Sequence, residues 1–279
     1  IRLARALGWE DEPSPRDGER KLQERPVPVI GGAAILLGLL ALGIGDGVSL
    51  GDPVFVDHAS GVMFEGAMAW PPLLAAFLLG LVDDLKPGGL RPALKLLGQA
   101  GVGFVVALSV FPGEAALLFV CLLITPLFLN AWNTFDNADG AATGVGALAL
   151  LSVGSPAAAP VLGFLGWNVR LRKGAPAYLG DSGSHLLGCL VLLHPGAWPL
   201  MALPMFDLVR VVCVRIAEGR APWKGDRIHL AHRLQARGFS PLVVALLLWA
   251  LAALPLLWPG WEGLAFAALG FIITVWVTR

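Results

Sequence analysis

The chain has 279 residues, 56% of them hydrophobic and only 14% charged, with a mean hydropathy of +0.73; one water-soluble core cannot bury that much apolar surface, so a soluble globular domain is excluded. Twenty basic and twenty acidic residues cancel, which removes any general signal for nucleic acid and shifts interest to where the charges lie. Cys121, Cys189 and Cys213 are odd in number, far apart and set in apolar stretches; neither a disulfide framework nor a metal knuckle is indicated, and buried free thiols are expected.

A hydrocarbon core about 30 Å thick asks for roughly 20 apolar residues per helix, and the pattern predicts an all-α, polytopic membrane protein with about ten spans. Residues 1–26 form a polar, Pro-containing lead-in. Spans are expected at 28–45, 66–84, 93–111, 114–132, 141–154, 156–169, 178–194, 197–214, 240–258 and 260–278. The pair around 141–169 is short and interrupted by Gly154, Ser155 and Pro156, so one long or two short spans fit there. The basic loop 215–239 interleaves Trp223, Ile228 and Leu230 with its charges and is expected to be structured. No internal repeat divides the chain, which reads as one catalytic domain.

The charges then fix a topology. Lys and Arg occur at the amino terminus, near 84–95, 170–178 and 210–239, and at Arg279, whereas the alternate connections hold only Asp46, Asp52, Asp57, Glu65, Glu114 and Glu262. By the positive-inside rule the basic side is cytoplasmic, with both termini on it.

Five acidic residues gather on that side. Asp83 and Asp84 close the span ending LLGLVDD, Asp136 and Asp139 lie in NAWNTFDNADG, and Asp181 lies in LGDSGS. Carboxylates this close repel one another, and a hard divalent cation such as Mg²⁺, shared with a phosphate substrate, is the usual remedy. Asn130, Asn133, Asp136 and Asp139 recur every third residue; each step turns by about 60°, so neighbours converge while all four do not. Simple helix capping is the plain alternative for these residues and for Asp181 or Ser182. In DRIHLAHRL, His229 and His232 stand beside Arg227 and Arg233, a set suited to phosphate oxygens, or else a solvated charge run. Two histidines without a nearby cysteine do not make a zinc site.

In this order and on one face, ERPVPVIGGAAI, LVDDLKPGGLRPALKLLGQ, NAWNTFDNADG, GFLGWNVRLRKGAPAYLGDSGSHLLG and PMFDLVRVVCVRIAEGRAPWKGDRIHLAHRLQARGFS resemble the polyprenyl-phosphate N-acetylhexosamine-1-phosphate transferase family of membrane enzymes. The resemblance implies transfer of a sugar 1-phosphate from a UDP-sugar to a polyprenyl phosphate, with release of UMP and with Mg²⁺ as cofactor, Mn²⁺ being an acceptable substitute. It assigns Asp181 and Asn133 to the metal, and Asp83, Asp84, Asp136, Asp139, His229 and His232 to catalysis. Arg25, Lys95, Asn130, Asn168, Tyr178, Arg227 and Arg233 fall at substrate-binding positions, Tyr178 where an aromatic stacks on uracil. The implied partners are a UDP-N-acetylhexosamine, a polyprenyl phosphate lipid and the bilayer of the plasma membrane, with no nucleic acid and with a homodimer left open. Such enzymes usually carry one more amino-terminal helix, so the chain is expected to be an abbreviated copy.

Two departures bear on the donor. The family's DGxDG becomes Asp136-Asn137-Ala138-Asp139-Gly140, and its HxHH becomes His229-Leu230-Ala231-His232. The loop pattern still resembles the N-acetylglucosamine branch, because the three consecutive histidines typical of the muramoyl-pentapeptide branch, the alternative donor class, are absent. An ion-coupled transporter is the alternative of another kind; its carboxylates would sit near the midplane, whereas these collect at one face.

Overall fold

The computed structural model describes residues 9–11, 26–45, 56–57, 62–63, 66–169, 175–258 and 260–278. It is all-α in architecture: α1 (Gly31–Gly45), α2 (Gly66–Leu85), α3 (Pro92–Val110), α4 (Ala115–Phe135), α5 (Ala141–Ser152), α6 (Ala158–Asn168), α7 (Gly180–Leu192), α8 (Ala202–Ala217), α9 (Leu230–Ala236), α10 (Pro241–Leu257) and α11 (Trp261–Val277). A 3₁₀ segment, Pro195–Met201, leads into α8. Two small antiparallel ribbons accompany the helices, Glu10–Asp11 with Val27–Pro28 and Val56–Asp57 with Val62–Met63.

Every expected span contains a helix. Among the described residues, α2, α3 and α4 are long and apolar enough to cross a bilayer, and α1, α5, α10 and α11 are shorter apolar helices. The 12 residues of α5 and 11 of α6 reach only about 18 and 16 Å. Hydropathy counts apolar residues regardless of whether the helix continues through them. Here Val153–Ala157 separates the two helices, and the span expected from 197 starts as a 3₁₀ turn.

α7 is the hub. It packs against α1, α2, α4 and α5, and every side chain from Ser182 to Leu192 is buried, as expected of a helix without a polar face. By contrast α2, α3 and α4 leave large apolar side chains outward, including Leu97, Phe119 and Leu123, which suits contact with lipid. The same outward facing corrects the thiol expectation: Cys121 and Cys189 are buried, but Cys213 is exposed.

Backbone contacts join two distant motifs at the start of α7. Val29 forms a parallel bridge with Tyr178, Tyr178 N donates to Pro28 O at 2.9 Å, and Gly31 N donates to Tyr178 O at 3.1 Å. The Pro-rich entry to α1 is therefore stitched to the segment that opens α7. α2 approaches equally closely: a Cβ on Gly80 would lie 2.2 Å from Asp181 O. Gly180, at φ +74°, adopts the left-handed conformation, and a Cβ there would lie 2.3 Å from Val29 Cγ1 and 2.9 Å from Asp84 Oδ2.

Gly80→Ala should therefore push α2 off α7 and cost about 1–3 kcal/mol, read as a lowered melting temperature in detergent. Gly101→Ala on α3, where nothing lies within 4 Å, should leave it unchanged.

Candidate active site

Four helix ends meet at one point: the carboxyl ends of α2 and α4 and the amino ends of α3 and α7. Lys95, one turn into α3, stands at the centre. Its Nζ lies 2.6 Å from Asp83 Oδ2 and 2.8 Å from Asp181 Oδ2, and it donates to Asn133 Oδ1 at 3.1 Å. Asn133 Nδ2 donates in turn to Asp181 Oδ1 and, at 3.1 Å, to Ser184 Oγ. Asp83 also accepts from Leu90 N in the α2–α3 turn. The Asp181 side chain keeps 30% of its surface exposed, against 5% for Asp83, so the cluster opens on the Asp181 side.

Two carboxylates and an amide oxygen thus converge on one cationic centre. An all-oxygen donor set of this kind fits a hard divalent cation that completes its shell with water and phosphate oxygens. Among the described residues no group of three or more His, Cys, Asp and Glu is arranged to hold a metal. A cation here would accordingly rest on Asp83, Asn133 and Asp181 together with substrate.

Asp84 does something different from its neighbour. Its Oδ1 accepts from Asp181 N at 2.8 Å and its Oδ2 from Ser182 N at 2.9 Å. The carboxylate caps the first turn of α7, satisfying two N–H groups that the helix cannot pair and meeting the positive end of its dipole. Successive helix residues point about 100° apart, which sends Asp83 to Lys95 and Asp84 to α7.

Behind the cluster runs a buried polar chain. Asn130 Nδ2 donates to Gln99 Oε1 at 2.6 Å, Gln99 Nε2 lies 3.1 Å from His185 Nε2, and His185 Nδ1 lies 2.7 Å from Asp181 O. Gln99 and His185 are fully buried. A carbonyl only accepts, so Nδ1 carries the imidazole proton and Nε2 accepts from Gln99. Neither residue was singled out in the sequence, although a polar side chain inside an apolar run such as LLGQAGVG was the available signal.

The other expected residues lie as follows. Asp136 follows α4, half-buried. Burial, then the charges of Asp181, Asp139 and Asp84, hold its carboxyl well above the ordinary range. Asn168 is buried, and its amide is used by Gly140 N, Thr143 Oγ1 and Ala177 O, at 3.2, 2.7 and 3.2 Å; it ties the start of α5 to the segment before α7. Tyr178 is half-buried beside the α1 entry. Arg25 lies outside the described residues.

The His-containing loop is organised by two acids. Asp207 on α8, 2% exposed, accepts from Leu230 N at 3.1 Å and from Arg210 Nη2 at 2.9 Å through Oδ1, while its Oδ2 lies 2.9 Å from His229 Nδ1. It was missed as a candidate; its signal was an Asp three residues before an Arg within an apolar helix. Asp226 takes a two-pronged bond from Arg215, both distances 3.0 Å, and a third from Arg220 at 2.9 Å. His232 is half-buried near Gln235; burial first, then the charges of His229 and Arg227, push its pKa down. Arg233 donates to Val275 O at 2.9 Å, linking α9 to the end of α11. Ala231, at the expected place of a middle imidazole, packs into the core.

A helical membrane protein with a carboxylate, lysine and amide cluster at aligned helix ends is a class suited to handling phosphates. Residues 67–194, which carry that cluster, match the family model described as Glycosyl transferase family 4. An undecaprenyl-phosphate alpha-N-acetylglucosaminyl 1-phosphate transferase of Thermotoga maritima is 28% identical over 231 residues, 78% of this chain and 71% of that protein. A decaprenyl-phosphate N-acetylglucosaminephosphotransferase of Mycobacterium leprae is 28% identical over 300 residues, 83% of this chain and 72% of that one. The Escherichia coli K12 undecaprenyl-phosphate alpha-N-acetylglucosaminyl 1-phosphate transferase is 23% identical over 301 residues, covering 91% and 76%. These findings support the resemblance carried by the motifs.

Two outcomes test this geometry. Asp84→Ala should cost about 0.5–2 kcal/mol through loss of the cap, and Asp84→Asn, which keeps one acceptor, should fall between it and wild type in thermal unfolding. Burial works against ionisation of Asp226, but the Arg215 contact outweighs it and holds the carboxyl below its ordinary value. A depressed folded-state value means that the stability it brings is complete above the unfolded value, about 3.9, and is lost as pH falls through the folded one. Asp226→Asn should therefore melt lower than wild type at neutral pH, with the gap closing below about pH 4.

Proposed function

We propose that the protein transfers N-acetylglucosamine 1-phosphate from UDP-N-acetylglucosamine to a polyprenyl phosphate, releasing UMP, at the cytoplasmic face of the plasma membrane. The observation that carries this reading is the convergence of Asp83, Lys95, Asn133 and Asp181 on one point at the helix ends. The names of the relatives support the N-acetylglucosamine donor over a muramoyl-pentapeptide one. The confinement of Lys and Arg to alternate loops supports the cytoplasmic orientation.

Phosphoryl transfer asks a protein mainly to align nucleophile and leaving group and to neutralise charge. The lipid phosphate oxygen forms its bond to the β-phosphorus while the bond from that phosphorus to the bridging oxygen breaks, and UMP leaves with the electron pair. Lys95, already held between two carboxylates, supplies positive charge to the diphosphate. Asp83, Asn133 and Asp181 would hold Mg²⁺, which when bound neutralises phosphate charge. A lipid phosphate is ionised near neutral pH, so little is asked of any base, and direct attack is preferred to an aspartyl intermediate. Asp84 keeps Asp181 in place through the α7 backbone. The apolar outer surfaces of α2, α3 and α4 offer the lipid tail a path to the cluster.

The test is UMP release by purified protein in detergent with UDP-N-acetylglucosamine and polyprenyl phosphate, with and without Mg²⁺. Turnover should require both lipid and Mg²⁺ and should fall by at least about a hundredfold in Asp181→Ala. Release of UMP without lipid, or full activity in Asp181→Ala, would overturn the reading.

A further inference from the structure

The buried polar chain joins the same three helices as the cluster in front of it. α3 and α7 begin at the site, so Gln99 lies one turn deeper than Lys95, and His185 one turn deeper than Asp181. α4 ends there, so Asn130 lies one turn deeper than Asn133. Helix residues four apart share a face, separated by about 6 Å along the axis, and residues three apart nearly do. Each helix thus contributes to two layers. In the outer one Lys95 Nζ meets Asp181 Oδ2 at 2.8 Å and Asn133 Oδ1 at 3.1 Å; in the inner one Gln99 meets Asn130 at 2.6 Å and His185 at 3.1 Å.

Every donor in the inner layer has a fixed direction. Asn130 Nδ2 donates to Pro126 O at 2.9 Å and to Gln99 Oε1. With its oxygen taken, Gln99 donates through Nε2 to His185 Nε2, and His185 Nδ1 donates to Asp181 O at 2.7 Å. The chain therefore runs one way between two backbone carbonyls, and a sliding helix would strand a buried polar group. Asp181 is consequently held at both of its backbone groups, N by Asp84 and O by His185. We propose that His185 and Gln99 are positioning residues for the cluster: with Asn130 they fix the registers of α3, α4 and α7 one turn below it and so set the spacing of Lys95, Asn133 and Asp181. The inference rests on the function proposed above and deepens it, assigning a role to a layer that acts through the cluster rather than on substrate. Spacing matters because a displacement of about 1 Å at reacting groups can cost a hundredfold in rate. Apolar side chains could fill the same space, but their attraction is non-directional and holds no register.

The experiment compares wild type with His185→Leu, His185→Gln and the double variant Gln99→Leu/His185→Leu, each as the full chain in detergent. Three quantities are read: the melting temperature, kcat and KM for UMP release from UDP-N-acetylglucosamine, and the Mg²⁺ concentration that half-saturates UDP binding in calorimetric titration. His185→Leu strands the Gln99 amide and should melt below wild type. The double variant removes both partners together and leaves Asn130 its bond to Pro126 O, so it should recover most of that melting temperature. Its kcat should nonetheless stay about tenfold or more below wild type, with a smaller change in KM and a raised Mg²⁺ requirement for UDP. His185→Gln offers an amide oxygen to Gln99 Nε2, keeps the bond between α3 and α7, and should recover most of the lost kcat.

A merely structural role would let stability and turnover recover together. Wild-type kcat and Mg²⁺ response in the double variant would therefore overturn the inference. Should the double variant fail to fold or melt far below wild type, equal kcat in His185→Leu and His185→Gln would overturn it instead. If wild type turns over donor and either of those results appears, only this inference falls. If wild type neither binds UDP nor releases UMP, the function proposed above falls with it.

Discussion

The first turn of α7 is held by a carboxylate that belongs to another helix. Asp84 accepts from Asp181 N and Ser182 N, and Gly80, one turn earlier on α2, lets the two backbones meet at a distance no Cβ would tolerate. Hydrogen bonds to a capping carboxylate gain weight where water is scarce. With that turn fixed, Asp181 faces Asn133 and Lys95, and His185 lies one turn further along, within reach of Gln99. The entry to α1 docks on the same segment through Tyr178. Four helices and the chain entry thus share one reference point, and displacing it would move every member of the cluster.

Charge balance then explains the character of the site. Asp83 and Asp181 share Lys95, while Asp84 spends its charge on a helix terminus. Asp136 and Asp139 add acidity nearby, enough for Asp136 to resist ionisation. One ammonium does not neutralise these groups, so the cluster favours further positive charge. Lys95 has the reach and the compact charge for that role.

The helices were legible because long apolar runs and charged punctuation are strong signals, whereas their lengths were not. α5, α6 and α7 read as apolar segments and form helices of 12, 11 and 13 residues. Within the site, the five aspartates stood out because charge in a membrane protein is conspicuous, and Lys95 through the resemblance of its motif. Their division of labour was invisible: LVDD gives no hint that one carboxylate meets an ammonium and the other a helix terminus. The 60° step let Asn130 and Asn133 be read as neighbours that converge, whereas the structure sends the first to Gln99 and the second to Asp181. Asn168 looked like a substrate ligand in its motif but spends its amide on three partners within the chain. Gln99, His185 and Asp207 escaped notice because single polar residues in apolar runs identify no partner until the helices are packed.

Two helix starts in the molecule repeat one device. Asp84 on α2 caps α7, and the side chain placed by that turn is Asp181; Asp207 on α8 caps α9, and the side chain at that start is His229. In both cases a carboxylate from a neighbouring helix ties the flexible start of an element to a rigid one. The difference lies in how the oxygens are used. Both oxygens of Asp84 go to backbone N–H groups, so its charge acts on the helix alone. Asp207 gives one oxygen to the backbone and Arg210 and the other to an imidazole, so the same capping geometry also sets a tautomer. Because the cap and the orienting bond share a carboxylate, a shift of α9 would turn His229, and the start of α9 is tied to α8 by Asp207 while Asp226 and Arg215 tie the preceding loop to it.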